Sequence, residues 1–353
     1  MSKFWSSFAQ RVDPYTPGEQ PRDQKYIKLN TNENPYPPSI EALRAIKGDC
    51  NDLLRLYPDP NSTALKEALA TYHGVDQKHV FVGNSSDEVL ALAFMAFFVQ
   101  SKPLLFPDIT YSFYDVYCKL YGIEHKTIAL NDALAISVED YKHENGGIVF
   151  PNPNAPTGRF LALAEVERLL QDNPEVVVLV DEAYVDFGGE SATALLGRYP
   201  NLLVVQTFSK SRSLAGMRVG FALGSDELIE GLERIKNSFN SYPLDRLAVA
   251  GAVAALKDRK YFEETCQHII NTRQDAVARF ESLGFSVVPS AANFLFVSHE
   301  RVSAKQLYLD LKERGILVRY FSKPRIDNYL RVTIGTDEEM TTFFEELEQC
   351  MAP

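Results

Sequence analysis

The sequence predicts an α/β fold: a large domain with a mainly parallel sheet flanked by helices, joined to a smaller α+β domain. Three observations predict it. Strand and helix patterns alternate through the middle of the chain. Strands there, VVVLV (176–180) above all, are apolar without alternation, so both of their faces must be covered. After about residue 283 the pattern changes to short strands separated by one helix. The length of 353 residues suits two domains at roughly 150 residues each.

The elements follow in order. The first 40 residues carry Pro14, Pro17, Pro21, Pro35, Pro37 and Pro38 and read as an extended arm. SIEALRAIKG (39–48) is a short helix. NSTALKEALATYHG (61–74) has the grammar of a capped helix: Asn61 or Ser62 starts it, Leu65, Leu69 and Tyr72 share a face, and Gly74 ends it. HVFVG (79–83), PLLF (103–106), IEHKTIAL (123–130), GGIVF (146–150), VVVLVDEAY (176–184), LLVVQTF (202–208) and RVGFALG (218–224) read as strands. SDEVLALAFMAFF (86–98), YSFYDVYCKLYG (111–122) and LAEVERLLQ (163–171) read as helices between them. Two or three long helical patterns run to about Leu283. FSVV, NFLFVS, ILVRYF and YLRVTIG then supply short strands, and a last helix begins after Asp337. The expected division is an arm with part of the small domain over 1–47, a large domain over 48–245 and a C-terminal small domain over 246–353.

Composition excludes several function classes. The net charge of −11 and the pI near 5.2 oppose broad electrostatic binding to nucleic acid or to an anionic membrane. They leave room for a locally basic pocket. Cys50, Cys118, Cys266 and Cys350 are scattered, without metal spacing or the density of a disulfide framework, which fits a reducing cytoplasm. The N-terminus lacks the apolar run of a secretory signal. VLALAFMAFFV (89–99) is too short to span a bilayer and reads as a buried helix. The six histidines have no ligand spacing, so no metal is expected, and phosphate-loop, dinucleotide, zinc-protease and nucleophile-elbow motifs are absent.

Polar residues concentrate at four strand ends, where open α/β sheets hold their ligands. GNSSDE (83–88) opens a helix: Ser85 and Ser86 sit among unpaired N–H groups that favour an anion, or serve only as a cap. PNPNAPTG (151–158) is a stiff loop that either aims Asn152 and Asn154 or simply turns the chain. In DEAYVDF (181–187), Asp181 ends an apolar strand, and a buried carboxylate needs a partner. In TFSKSRSLAGMRVG (207–220), Lys210 is either solvated or desolvated into a nucleophilic amine. A cofactor with an aldehyde, a pyridine nitrogen, a phenolic oxygen and a phosphate needs a Schiff-base lysine, an acid, hydrogen-bond donors and a phosphate cup. Lys210, Asp181, Asn154 with Tyr184, and Ser85 and Ser86 with Ser209 and Arg218 supply these in turn.

The series N-P-x-x-P-T-G, D-E-x-Y and S-K-x-x-x-x-x-G-x-R resembles the fold-type I pyridoxal-phosphate aminotransferases. LNTNENPYPPS (29–39), LRLYPDP (54–60), GNSSDE, ITYSFY (109–114), ILVRYF (316–321) and YLRVTIGT (329–336) narrow the resemblance to the histidinol-phosphate aminotransferase family, from about residue 25 to about 345. Ser85 and Ile109 depart from the family's usual glycine and proline. The resemblance implies transamination between L-histidinol phosphate and 2-oxoglutarate in a cytoplasmic homodimer with pyridoxal 5′-phosphate. Lys210 would hold the cofactor and move the Cα proton, and Asp181 would keep its ring nitrogen protonated. Tyr184 and Asn154 would hydrogen-bond its phenolic oxygen, and Tyr111 would stack on its ring. Ser85, Ser86, Thr207, Ser209 and Arg218 would hold its phosphate, with Tyr57 reaching the phosphate of the partner subunit. Arg331, set by alternation opposite Leu330 and Val332, would bind the substrate anion with Arg319 as second clamp. Asn32, Glu33 and Tyr36 would close over the imidazole. The competing readings are an aromatic aminotransferase, a threonine-phosphate decarboxylase-like lyase, a non-catalytic regulator and a nucleotide-binding α/β protein. About 25 residues before the resemblance leave too little length for a regulator's DNA-binding domain, and the missing glycine-rich loops oppose the nucleotide binder.

Overall fold

The computed structural model describes residues 3–351 apart from 17 and 22. Pro17 of the arm therefore lies outside the described residues. The strands are β1 (Ile27–Lys28), β2 (Val80–Asn84), β3 (Leu104–Pro107), β4 (His125–Ile128), β5 (Gly147–Pro151), β6 (Val178–Asp181), β7 (Leu202–Thr207), β8 (Val219–Leu223), β9 (Phe285–Val288), β10 (Phe294–His299), β11 (Ile316–Leu317), β12 (Arg319–Tyr320) and β13 (Tyr329–Thr333).

β2 to β8 form one seven-stranded sheet in the order β2-β8-β7-β6-β5-β3-β4. β8 runs antiparallel to both its neighbours, and the other pairings are parallel. The C-terminal ends of β2, β3, β5, β6 and β7 and the start of β8 therefore meet at one edge. The unalternating strands are covered on both faces, as their composition requires. Val178, Val180, Leu202 and Val204 pack into a core shared with the helices Thr63–His73, Leu163–Asp172 and Arg246–Lys257. Leu179, Leu203 and Val205 point the other way, against the helices Ser85–Phe97, Phe113–Tyr121 and Asp226–Phe239.

A four-stranded antiparallel sheet, β12-β13-β10-β9, carries the smaller core with the helices Arg259–Ser282, Ala304–Glu313 and Asp337–Met351. ILVRYF, expected as one strand, divides at Val318. β11 pairs parallel with β1 of the arm, and β12 pairs antiparallel with β13. The helix Arg246–Lys257 buries Ala248, Ala252 and Ala255 in the large sheet's core, although the sequence division groups it with the small domain.

The helix Thr63–His73 starts where the sequence places it, but with a different capping oxygen. Ser62 occupies the N-cap position, but its φ is +47° and its side chain makes no cap bond. The Asp59 carboxylate accepts from the Thr63 N–H at 2.7 Å and the Asn61 N–H at 3.0 Å instead. Asp59→Ala should therefore destabilise the protein by about 1 kcal/mol in denaturant unfolding, and Ser62→Ala by clearly less. The C-terminal expectation holds: Gly74 ends the helix with φ +68°.

Candidate active site

The edge where the strands converge opens into a cavity of about 460 Å³ between the two sheets. Most of the residues expected in the site line it: Ser86, Tyr111, Asp181, Tyr184, Thr207, Ser209, Lys210, Arg218, Arg319, Arg331, Asn32 and Glu33. Chain direction explains the gathering. β6 delivers Asp181 at its last residue, β7 delivers Thr207 and the turn to Lys210, and Arg218 directly precedes β8.

Lys210 is walled in, and its Nζ donates to the Thr31 carbonyl at 3.1 Å. Desolvation, then the positive charge of Arg331, lowers its pKa to about 8. Its backbone is also clasped, because Asn34 Nδ2 donates to the Lys210 carbonyl at 3.0 Å. Asp181 is buried, and desolvation raises its pKa to about 6 against a hydrogen bond from Tyr114. The Tyr184 hydroxyl accepts from Asn32 Nδ2 at 3.0 Å. Burial raises the Tyr184 pKa, and the nearby Arg331 opposes the shift.

In the turn after β7, Thr207 Oγ1 donates to Ser209 Oγ at 3.0 Å. Arg218 places Nη2 on Asp87 Oδ2 at 2.7 Å, and the Tyr111 hydroxyl donates to the other Asp87 oxygen at 2.9 Å. A Cβ on Gly220 would come within 2.2 Å of the Ser86 nitrogen, so only glycine lets β8 pass beneath the helix's first turn.

The small sheet contributes two arginines. Leu330 and Val332 enter its core while Arg331 faces the cavity, as alternation predicts. Arg319 is the direct cross-strand neighbour of Arg331. Like charges at opposed positions repel. Arg331 Nη2 donates to the Asn30 carbonyl at 2.9 Å, whereas its buried Nε has no partner. Burial lowers the Arg331 pKa, with Tyr184 acting against that shift and Arg319 adding to it.

Four expected residues lie off the cavity lining. Asn154 spends its amide on the Ile109 carbonyl and Thr157 and accepts from Thr110, which ties the loop together. Ser85 is buried with φ +72°, the conformation that favours the family's glycine. Its Oγ accepts from the Asp87 N–H at 3.2 Å, a local hydrogen bond that glycine could not make. Tyr57 is 79% exposed and stacks on Tyr242 at 4.8 Å, away from this chain's cavity. Tyr36 packs at the edge of the small core, 5.9 Å from the His268 ring. The other departure, Ile109, leaves no orphan donor, because its N–H goes to Asp108 Oδ1 at 2.9 Å.

Sequence reasoning missed Asp87, Tyr114 and Thr31. Asp87 and Tyr114 stand inside quoted motifs, GNSSDE and ITYSFY, but ordinary helix-start residues look the same. Thr31 acts through its backbone carbonyl, which leaves no trace in residue type.

Residues 24–347 match the family described as aminotransferase class I and II. The histidinol-phosphate aminotransferase 1 of Hydrogenovibrio crunogenus is 61% identical over 97% of this chain and 96% of that protein. The histidinol-phosphate aminotransferase of Marinomonas sp. is 60% identical over 99% of each chain. The chain belongs to the class I and II aminotransferases, and within them to the histidinol-phosphate aminotransferases. A histidinol-phosphate aminotransferase from Sinorhizobium meliloti, solved with pyridoxal 5′-phosphate, shares the fold with a TM-score of 0.90 over 99% of this chain, at 23% identity.

Pyridoxal 5′-phosphate is the cofactor of this aminotransferase family. The donor set fits it. The cavity offers a desolvated amine on Lys210, a buried carboxylate on Asp181, and hydroxyls with a guanidinium on Ser86, Thr207, Ser209 and Arg218. The unpartnered Nε of Arg331 faces the same space from the other sheet.

Proposed function

We propose that this chain transfers an amino group between L-histidinol phosphate and 2-oxoglutarate, giving imidazole-acetol phosphate and L-glutamate, in histidine biosynthesis. The observation that carries the reading is the pair Arg319 and Arg331, adjacent across two strands and facing the cavity that holds Lys210. A guanidinium pair suits a phosphate ester and a carboxylate alike, so one site can take both substrates in turn.

The cofactor, when bound, supplies an electron sink for the carbanion left at the substrate Cα. Lys210 Nζ would hold it covalently and take the Cα proton once released by the incoming amine. Asp181 would keep a proton on the ring nitrogen. Tyr184 would donate to the phenolic oxygen, oriented by Asn32. Tyr111 would cover the ring, while Ser86, Thr207, Ser209 and Arg218 would take the phosphate. Asn154, with Tyr184, would hydrogen-bond the phenolic oxygen, and Ser85 would join the phosphate set, while their hydrogen bonds in this structure shape the loops beneath. Glu33, held below the usual carboxylate range against its burial by Lys28 and Thr31, would face the imidazole beside Asn32, with Tyr36 behind them.

Uptake of the cofactor by the apoenzyme should quicken as pH rises through about 8, because the neutral Lys210 amine is the nucleophile. Stopped-flow absorbance measures this. A midpoint near the ordinary 10.5 would contradict the desolvation.

The function is tested by 2-oxoglutarate formation from imidazole-acetol phosphate and glutamate. Carbon dioxide release from a phosphorylated amino acid would favour the decarboxylase-like alternative, and preference for phenylalanine or tyrosine the aromatic aminotransferase.

The proposal includes a homodimer. Leu53, Leu54, Leu56, Tyr57 and Tyr242 are exposed apolar or aromatic residues, with Tyr57 and Tyr242 stacked on each other. Tyr57 would there reach the phosphate corner of the partner subunit. Sedimentation should give a dimer, and Leu54→Asp should weaken it. A cytoplasmic location is supported by four unpaired cysteines and by the absence, among the described residues, of any helix long and apolar enough to cross a membrane. The two-domain division is also part of the proposal. Its C-terminal boundary is better drawn near the start of the helix Arg259–Ser282 than at 246, given where Ala248 and Ala252 pack.

A further inference from the structure

We infer that Tyr114 is a positioning residue for Asp181: its hydroxyl fixes one carboxylate oxygen and keeps the group an anion toward the cofactor's ring nitrogen. This inference rests on the assignment of Asp181 to that nitrogen. Tyr114 Oη donates to Asp181 Oδ2 at 3.0 Å, whereas the other oxygen receives only the Ala183 N–H at 3.3 Å. A buried carboxylate stays charged only with donors around it. The other charged groups that bear on Asp181 are Asp87, which opposes its ionisation, and Lys210, which favours it.

The donor cannot turn away. Tyr114 is fully buried, its ring 5.8 Å from Phe94 and 5.9 Å from Phe106. Burial, followed by the Asp181 charge, raises its pKa well above the ordinary value, so it remains a donor at every working pH. The same ring meets Tyr111 edge to face at 5.7 Å. One side chain therefore braces both the ring-covering Tyr111 and the acid below.

The test is Tyr114→Phe, which keeps the ring and removes the hydroxyl, measured in the holoenzyme beside Asp181→Asn and the double variant. Without the donor, the shared proton moves from the ring nitrogen toward the carboxylate. The ring becomes less positive, and the nitrogen of the Lys210 linkage holds its proton more tightly. The pH midpoint of the bound cofactor's visible absorption should rise by about one unit, and kcat should fall about tenfold with KM little changed. In the Asp181→Asn background, Tyr114→Phe should add almost nothing to either readout. Thermal unfolding of each variant checks that the fold is retained.

An unmoved midpoint in Tyr114→Phe, with Asp181→Asn still impaired, overturns the inference alone. A shift that persists undiminished in Asp181→Asn also overturns it, because Tyr114 would then act through packing. If Asp181→Asn itself changes neither midpoint nor kcat, the assignment of Asp181 fails and the inference fails with it.

Discussion

Lys210→Ala should lower kcat by at least about 10⁴-fold, the upper range for loss of a proton-transferring side chain, since the covalent attachment is lost as well. The visible absorption of the lysine-linked cofactor should vanish with it. The physical basis is the amine's surroundings. It is desolvated at the end of β7, has Arg331 nearby, and is held to the Thr31 carbonyl at 3.1 Å. Those conditions make a neutral amine accessible near neutral pH, which a solvated lysine is not. The same conditions make the charged form costly, so replacing Lys210 by alanine should leave the thermal midpoint of the apoenzyme unchanged or higher. Lys210→Arg should be equally inactive, because a guanidinium does not deprotonate at working pH. Normal turnover in either variant would remove Lys210 from the mechanism.

Arg331→Ala should raise KM for both glutamate and histidinol phosphate by about 100-fold, from the loss of charge-assisted hydrogen bonds to an anion. Arg331→Lys should recover only part of this, because a point charge lacks the bidentate fork. The cross-strand position of Arg319 adds a second readout. Two guanidinium groups side by side repel in the absence of an anion, so removing one should stabilise the apoenzyme while impairing binding. Inorganic phosphate should raise the thermal midpoint of the cofactor-loaded wild type and do so much less in Arg331→Ala. Equal stabilisation of both proteins would show that the arginine pair is not the anion site.

Much of this was legible in the residues. The uninterrupted apolar strands forced a sheet buried on both faces, and Val178, Leu179 and Val180 do alternate between two helix-covered cores. Alternation in YLRVTIG was enough to put Arg331 on the face opposite Leu330 and Val332. The strand-end motifs marked Lys210, Asp181 and Tyr184 because chemistry at the end of a parallel strand leaves a polar residue after an apolar run. Other features were illegible for identifiable reasons. Ser62 holds the N-cap of the helix Thr63–His73, one of the two starts the sequence offers, but the capping oxygen comes from Asp59, outside the local Asn-Ser pattern. The hydrogen bonds of Asn154 to Ile109, Thr157 and Thr110 are set by a loop path that residue types do not encode.

The sequence by itself determined the layer architecture and which polar residues stand at the strand ends, because periodicity and strand-end polarity are local properties. The tertiary structure decided which charges meet. Residues 31–34 of the arm reach Lys210 and Tyr184 across the chain, and Arg319 lies beside Arg331 only because the expected single strand breaks at Val318 and its second half joins β13. Such neighbours are fixed by sheet order and register, which depend on packing the whole chain. For the same reason, an overall charge of −11 coexists with Lys210, Arg218, Arg319 and Arg331 around one cavity.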